Sequence, residues 1–236
     1  MTVVEPVRVL LFDVFGTLVD WRSSLIGTAE SAAARAGLQA DWAAVVDDWR
    51  RAYQPAMDRA RQDATWRGLD ALQRETLADV LASRGVPLPA AGRESLVKGW
   101  RQLRPWPDSR DGLDRLRRRH ITATLSNGHL ALLADLLKFA DLRVDALLSA
   151  QLAASYKPDP KVYLTALDLL ECQPSEAGMV AAHPSDLEAA AALGLRPIFI
   201  RRPLEWGPGV PPEDPPALAG LLEADGLTDL AEALGC

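Results

Sequence analysis

Val9-Leu-Leu-Phe-Asp-Val-Phe-Gly-Thr-Leu18 is an apolar run that turns polar at Asp13 and then meets Gly16 and Thr17. Residues 7–12 read as a strand buried on both faces, the pattern of a parallel sheet. A carboxylate at the carboxyl end of such a strand lies where open α/β sheets do their chemistry. Asp13 is therefore the candidate nucleophile. A carboxylate is a weak nucleophile in water, but excluding water and aligning it with an electrophilic carbon lowers the barrier substantially.

Short apolar segments recur at 121–125, 144–148, 178–182 and 197–200, with helical patterns at 109–119, 130–138, 162–170 and 187–193 between them. That alternation predicts βαβ units and a parallel sheet. Residues 21–102 break the rhythm, with helical candidates near 24–36, 41–61, 66–84 and 90–101 and no convincing strand. In the second of these, Trp42, Val45, Val46, Trp49, Tyr53 and Met57 recur at helical spacing and make one side apolar. The expected fold class is α/β: a Rossmann-like parallel-sheet core from residues 1–20 and 103–236, with an inserted helical cap domain at 21–102. The cap is expected above the carboxyl edge of the sheet, where it shuts water out of a cleft. Pro105 and Pro107 mark the return to the core, and the proline- and glycine-rich 203–217 reads as a surface excursion before a final helix.

Composition narrows the function classes. A hydrophobic fraction of 48%, a charged fraction of 25% and a net charge of −6 over 236 residues are ordinary for a globular protein and give no sign of a nucleic-acid partner. The basic run Arg115, Arg117, Arg118, Arg119 and His120 has no accompanying aromatics and reads as a solvated helix end. Cys172 and Cys236 make no disulfide framework, and neither resembles an activated nucleophile. No apolar run approaches the ~20 residues of a membrane helix, and no signal core follows a basic start. No membrane partner and a cytoplasmic location are the expectations. His120, His129 and His183 lack zinc spacing, so no metal or other cofactor is expected.

A parallel sheet brings strand ends together however distant they are in sequence. Four places then converge: Asp13 with Thr17, Ser126 with Asn127, Lys157 and Asp186. The hydroxyls of Thr17 and Ser126 are suited to orient a carboxylate or a bound substrate, and Lys157, in Ser155-Tyr-Lys-Pro-Asp-Pro160, offers a fixed cation.

These segments resemble the haloacid dehalogenase superfamily. Asp13-Val-Phe-Gly-Thr17 is similar to its first motif, Leu125-Ser-Asn-Gly128 to its second and Tyr156-Lys-Pro-Asp159 to its third. Gly178-Met-Val-Ala-Ala-His-Pro-Ser-Asp186 is similar to its fourth. Order and spacing fit over nearly the whole chain, including a helical insertion between the first two motifs. Within the superfamily the sequence is most similar to the type II L-2-haloacid dehalogenases. Trp49-Arg50 matches their cap pair, Gln54 falls near a pocket position, Trp66 matches a pocket-lining aromatic, and Tyr163 matches their tyrosine after the lysine.

The resemblance implies two chemical steps. Asp13 displaces halide from the 2-carbon of a small 2-haloacid or haloacetate, fluoroacetate included, with inversion at a chiral centre. Water then opens the aspartyl ester, releasing the 2-hydroxy acid. Halide leaves as a stable anion, so the first step needs a positive cradle and no general acid. Arg50 is the implied cradle, assisted by aromatic edges such as Trp66 and Phe15. Ser126, Lys157 and the strand-end backbone amides would hold the substrate carboxylate, with Val14, Phe15, Gln54, Trp66 and Tyr163 as substrate-binding positions. Asp186 would fix Lys157 and help activate water. Relatives often pair through the cap or neighbouring core helices, so a homodimer is one expectation.

The chain departs from the best-known type II pattern. Ala181, His183 and Ser185 stand where serine, asparagine and tryptophan are usual, and Phe15 stands where tyrosine is usual. The first two changes remove groups expected to position the hydrolytic water, and His183 is the residue available to replace them, as a hydrogen bonder or a base. Two other readings stay open. A phosphatase of the same superfamily is one, although it needs an acid where Phe15 stands and acidic metal ligands near Ala181, Ala182 and His183. A catalytically impaired binding protein is the other, favoured by the altered fourth motif and opposed by the intact Asp13, Arg50 and Lys157.

Overall fold

The computed structural model describes residues 7–62 and 66–236. The first strand, β1 (Val9–Phe12), is entirely buried. A two-residue strand, β2 (Val19–Asp20), follows at once, and the chain then enters four helices: α1 (Trp21–Ala36), α2 (Trp42–Ala60), α3 (Leu69–Ser83) and α4 (Ala90–Gly99). Local chemistry sets their ends. Asp20 accepts the Ser23 amide at the start of α1, and Gly37, at φ 64°, closes it in the left-handed region. Asp41 caps α2 by accepting the Ala44 amide at 3.0 Å. The apolar side of α2 buries Trp42, Val45, Val46, Trp49 and Met57, and the Trp49 indole donates to the Gln73 carbonyl on α3 at 3.0 Å.

The chain returns through β3 (Arg104–Pro105), which pairs antiparallel with β2, Val19 opposite Pro105 and Asp20 opposite Arg104. Entry and exit of the helical cap are thus tied together by backbone bonds. Ser109 reinforces the neck by donating to the Leu18 carbonyl at 2.7 Å.

Beyond the neck the chain alternates as βαβ units require: α5 (Ser109–Leu116), β4 (Ile121–Ser126), α6 (Leu130–Ala140), β5 (Ala146–Ser149), α7 (Pro160–Leu169), β6 (Ala177–Ala181), α8 (Pro184–Ala191) and β7 (Arg196–Ile200). It ends with β8 (Leu222–Ala224) and α9 (Leu227–Ala233). The six main strands are ordered β5-β4-β1-β6-β7-β8, all parallel. Because β4 and β6 flank β1 and the chain proceeds outward from each, the order reverses at β1. The carboxyl end of β1 is therefore the crevice where ligands bind in such sheets.

Two elements were outside the sequence expectation. The β2–β3 pair is too short for a periodic signal, and β8 is three residues with only Ala224 buried. Two short helical turns, at Ala150–Ala153 and Pro174–Glu176, join the longer elements. Among the described residues no helix is long and apolar enough to cross a membrane.

Gly112 shows how tightly the core is closed. A Cβ at this position would meet the Cβ of Leu227 at 2.4 Å and its backbone carbon at 2.6 Å, so α5 and α9 approach only because the side chain is missing. Gly112→Ala should therefore lower stability by about 1–3 kcal/mol through overpacking. Helix propensity alone predicts a gain of up to about 1 kcal/mol. A urea midpoint that falls with an unchanged slope supports the packing account, and a midpoint that rises refutes it.

Candidate active site

Asp13 is the first residue past β1, and its carboxylate is almost fully buried. Thr17 Oγ1 donates to Oδ2 at 2.8 Å, and the same Oγ1 accepts the Ala182 amide at 2.9 Å, joining the ends of β1 and β6. Lys157 Nζ donates to Asp13 Oδ1 at 2.9 Å and also to Asp186 Oδ2. Burial opposes ionisation of Asp13, but Lys157 and then His183 hold its carboxyl well below the usual carboxylate range. Those donors favour its anionic form.

The residues around it are set by the ends of helices. Asp159 caps α7 by accepting the Lys161 amide, and Pro160 occupies its first turn, so Lys157 lies just outside a rigid helix start. Asn127 Oδ1 accepts the Lys157 backbone N–H at 2.7 Å, which pins the loop from the side of β4. Asp186 lies in the first turn of α8, where a carboxylate suits the helix dipole. Its other oxygen accepts from the Tyr163 hydroxyl. Burial works against the Lys157 ammonium, yet Asp13 and Asp186 raise its pKa above the ordinary lysine value. The Asp186 carboxyl is also raised, with burial the largest cause.

His183 precedes Pro184 at the head of α8, and its ring spans two carboxylates. Nδ1 lies 3.1 Å from Asp13 Oδ2, and Nε2 lies 3.0 Å from Glu205 Oε1. Burial disfavours the imidazolium, but Glu205 and the hydrogen bond to Asp13 outweigh it and raise the pKa well above the ordinary histidine value. Both ring nitrogens then donate. In the resting site His183 is a hydrogen-bonding cation rather than a free base.

Arg50 reaches in from α2. Its guanidinium carbon stands 4.6 Å from the Tyr53 ring centroid and 5.4 Å from the Trp21 ring. Arg22 takes the nearby Asp47 in two hydrogen bonds of 2.7 and 2.9 Å. Among the described residues Arg50 Nε is buried with no hydrogen-bond partner. A cation with aromatic neighbours and spare donors is suited to an anion that arrives with the substrate.

A cavity of about 400 Å³ joins these groups. Of the residues singled out from sequence, Asp13, Phe15, Arg50, Gln54, Asn127, Lys157, Tyr163, His183 and Asp186 line it. Thr17 acts one layer back, through Asp13. Three others are placed differently. Ser126 is fully buried and does not line the cavity, and its Oγ accepts the Gly128 amide at 3.2 Å within its own turn. Val14 packs its side chain wholly into the core. Trp66 is not among the lining residues. Its ring lies 6.0 Å from that of Tyr156, whose hydroxyl donates to the Arg67 carbonyl beside it.

Trp206, which the sequence offered as a cover for the cleft or a partner surface, lines the cavity, as do Tyr53 and Glu213, which it did not single out for the site; Glu205 stands behind His183. The 203–217 segment is therefore more than a surface excursion. Arg202 anchors its root through two bonds to Asp108, at 2.8 and 2.9 Å, and Glu205 turns inward to only 3% exposure. A buried carboxylate needs donors. It finds them in the Trp21 indole at 2.9 Å and His183, partners 184 and 22 residues away that no local pattern reveals. The only hint in sequence is an acidic residue beside Trp206 in an otherwise proline- and glycine-rich stretch. Among the described residues no group of three or more His, Cys, Asp or Glu is arranged to hold a metal ion.

A parallel sheet with a buried aspartate at its switch point, covered by a helical cap, is the architecture of a hydrolase core. The chain belongs to the haloacid dehalogenase-like hydrolases, whose family model matches residues 7–194, and within them to the L-2-haloacid dehalogenase family. It is 45% identical to the L-2-haloacid dehalogenase PA0810, with a TM-score of 0.90 over 97% of this chain and 98% of that one. The defluorinating L-2-haloacid dehalogenase Rha0230 is 39% identical, with a TM-score of 0.91 over 98% and 96%. (S)-2-haloacid dehalogenase 4A of Burkholderia cepacia is 30% identical over 217 residues, 89% of this chain and 87% of that protein.

Proposed function

We propose that this protein hydrolyses small (S)-2-haloacids to 2-hydroxy acids and halide through an ester on Asp13. One observation carries the reading. A buried aspartate held as an anion shares its cavity with an arginine whose donors are unspent, and no acid stands two residues on. Phe15 lies there instead, packed edge-on against Trp100 at 5.1 Å between centroids. A phosphate ester needs its leaving oxygen protonated, whereas halide does not, so the same geometry disfavours the phosphatase reading.

In the first step Asp13 attacks the halogen-bearing carbon while Arg50 receives the departing halide. Lys157 bridges Asp13 and Asp186 and keeps both in place. Asn127 acts by fixing the Lys157 loop. Gln54, Phe15, Tyr53 and Trp206 form walls that exclude water. In the second step water attacks the ester carbonyl carbon, with His183, whose Nδ1 lies 3.1 Å from Asp13 Oδ2, and Asp186 the candidate bases. We further take residues 21–102 as the cap domain and 1–20 with 103–236 as the core, of which 1–6 and 63–65 lie outside the described residues. The β2–β3 neck supports that division.

The test is halide release from a panel of 2-haloacids in chelator-treated buffer, beside an aryl phosphate with magnesium. Stoichiometric halide and 2-hydroxy acid without metal are expected. Hydrolysis of the phosphate alone would establish the rival activity, and neither product would leave a binding protein.

A further inference from the structure

Asp186 is an inconvenient base for the second step, because both its oxygens already accept hydrogen bonds, from Lys157 and from Tyr163. His183 is better placed, yet in the resting site it carries a proton on each nitrogen. Glu205 resolves the difficulty. It is buried, its Oε1 receives both the Trp21 indole N–H and His183 Nε2, and it depends on a glycine to be there. Gly16 adopts φ +91°, and a Cβ on it would stand 2.2 Å from Glu205 Oε1. The turn after β1 is thus shaped to admit this carboxylate.

We propose that Glu205 is a positioning residue for ester hydrolysis: it retains the Nε2 proton of His183, so that esterification of Asp13 releases the Nδ1 proton and arms Nδ1 as the base toward water. The inference rests on the dehalogenase reading above. Before reaction, Nδ1 faces the Asp13 carboxylate at 3.1 Å. Ester formation cancels that charge, and the reason for a second proton on the ring goes with it. The protein's other charged groups around His183 keep their charge at this step, and the halide's charge is met by Arg50. Those groups are Lys157 and Asp186 beyond Asp13, Arg50 from α2, and Glu205 and Glu213 from the segment after β7. The substrate's own chemistry therefore switches the histidine.

The protons balance. The aspartate oxygen bonds to the 2-carbon as the carbon–halogen bond breaks, and halide leaves with the bonding pair. His183 then loses its Nδ1 proton to solvent. Water adds to the ester carbonyl carbon as Nδ1 takes one of its protons. The carbon–oxygen bond to the substrate breaks, and that proton passes to the departing oxygen, giving the 2-hydroxy acid. Regenerated Asp13 carries the remaining proton of water and returns it to His183. One proton is released per halide, as hydrolysis demands.

Single-turnover rapid quench with (S)-2-chloropropionate separates the steps, with the ester read as an adduct by intact mass and halide read directly. In the unaltered enzyme, ester decay should rise with pH along a limb within about pH 5 to 9 and then level off. Glu205→Gln should retain the halide burst, slow ester decay by about tenfold or more so that adduct accumulates, and move the limb to lower pH, because the imidazole has lost an anionic neighbour. A residue that merely holds the fold would slow both steps together and leave the limb in place. That result, or decay in the Glu205→Gln variant at the unaltered rate, overturns the proposal. Flat decay across the pH range in the unaltered enzyme also overturns it, whether or not the variant folds. Absence of any halide burst in the unaltered enzyme would overturn the dehalogenase reading, and this inference with it.

Discussion

Asp13→Asn should abolish halide release, with a fall of about four orders of magnitude or more in kcat. The amide has nearly the same shape, so packing at the end of β1 survives and the loss isolates the anion. Asparagine offers a neutral oxygen that cannot displace halide, and its NH2 would confront the donors Lys157, Thr17 and His183, which now converge on a carboxylate. The change should affect the first step itself, so neither ester nor halide should appear under single-turnover conditions. Turnover of the unaltered enzyme in heavy-oxygen water should place label in the Asp13 side chain over repeated cycles, because water enters at its carbonyl carbon. An Asp13→Asn variant that still releases halide, or an unaltered enzyme that never acquires label, would contradict covalent catalysis by this residue.

Arg50→Ala should reduce halide release by about 10²- to 10³-fold, the usual loss when a preorganised charge-stabilising donor is removed from a dry site. Its geometry gives the reason. The guanidinium is stacked over Tyr53 and Trp21 and takes no carboxylate partner among the described residues, since Asp47 is occupied by Arg22. Its charge is therefore available to the leaving ion. Arg50→Lys should recover only part of the loss, because an ammonium lacks the flat face that rests on those rings. The effect should appear in the rate of ester formation. If Arg50→Ala slowed only ester decay, or left both rates unchanged, the halide cradle would have to lie elsewhere in the cavity.

The residues that sequence made legible share one physical trait: each belongs to a short segment whose backbone sets the position of the side chain. Asp13 ends an uninterrupted apolar strand, Lys157 precedes a proline-started helix, and Asp186 occupies a helix's first turn. In these cases local geometry and chemistry coincide. Ser126 and Trp66 share the same kind of segment logic but are used differently. The hydroxyl closes its own turn, and the indole packs toward Tyr156, choices made by neighbours within a few ångströms rather than by spacing.

The chain by itself determined a parallel α/β core with a helical insertion, because buried strands and amphipathic helices leave periodicities of two kinds along the sequence. It also determined which strand carries the acid, and that no second acid follows two residues later. Only the tertiary structure decided that the His183 ring stands between two carboxylates, Asp13 and Glu205. A proton's affinity for an imidazole depends on charges within a few ångströms. Here those charges come from the turn after β1 and the segment after β7, which only folding makes neighbours.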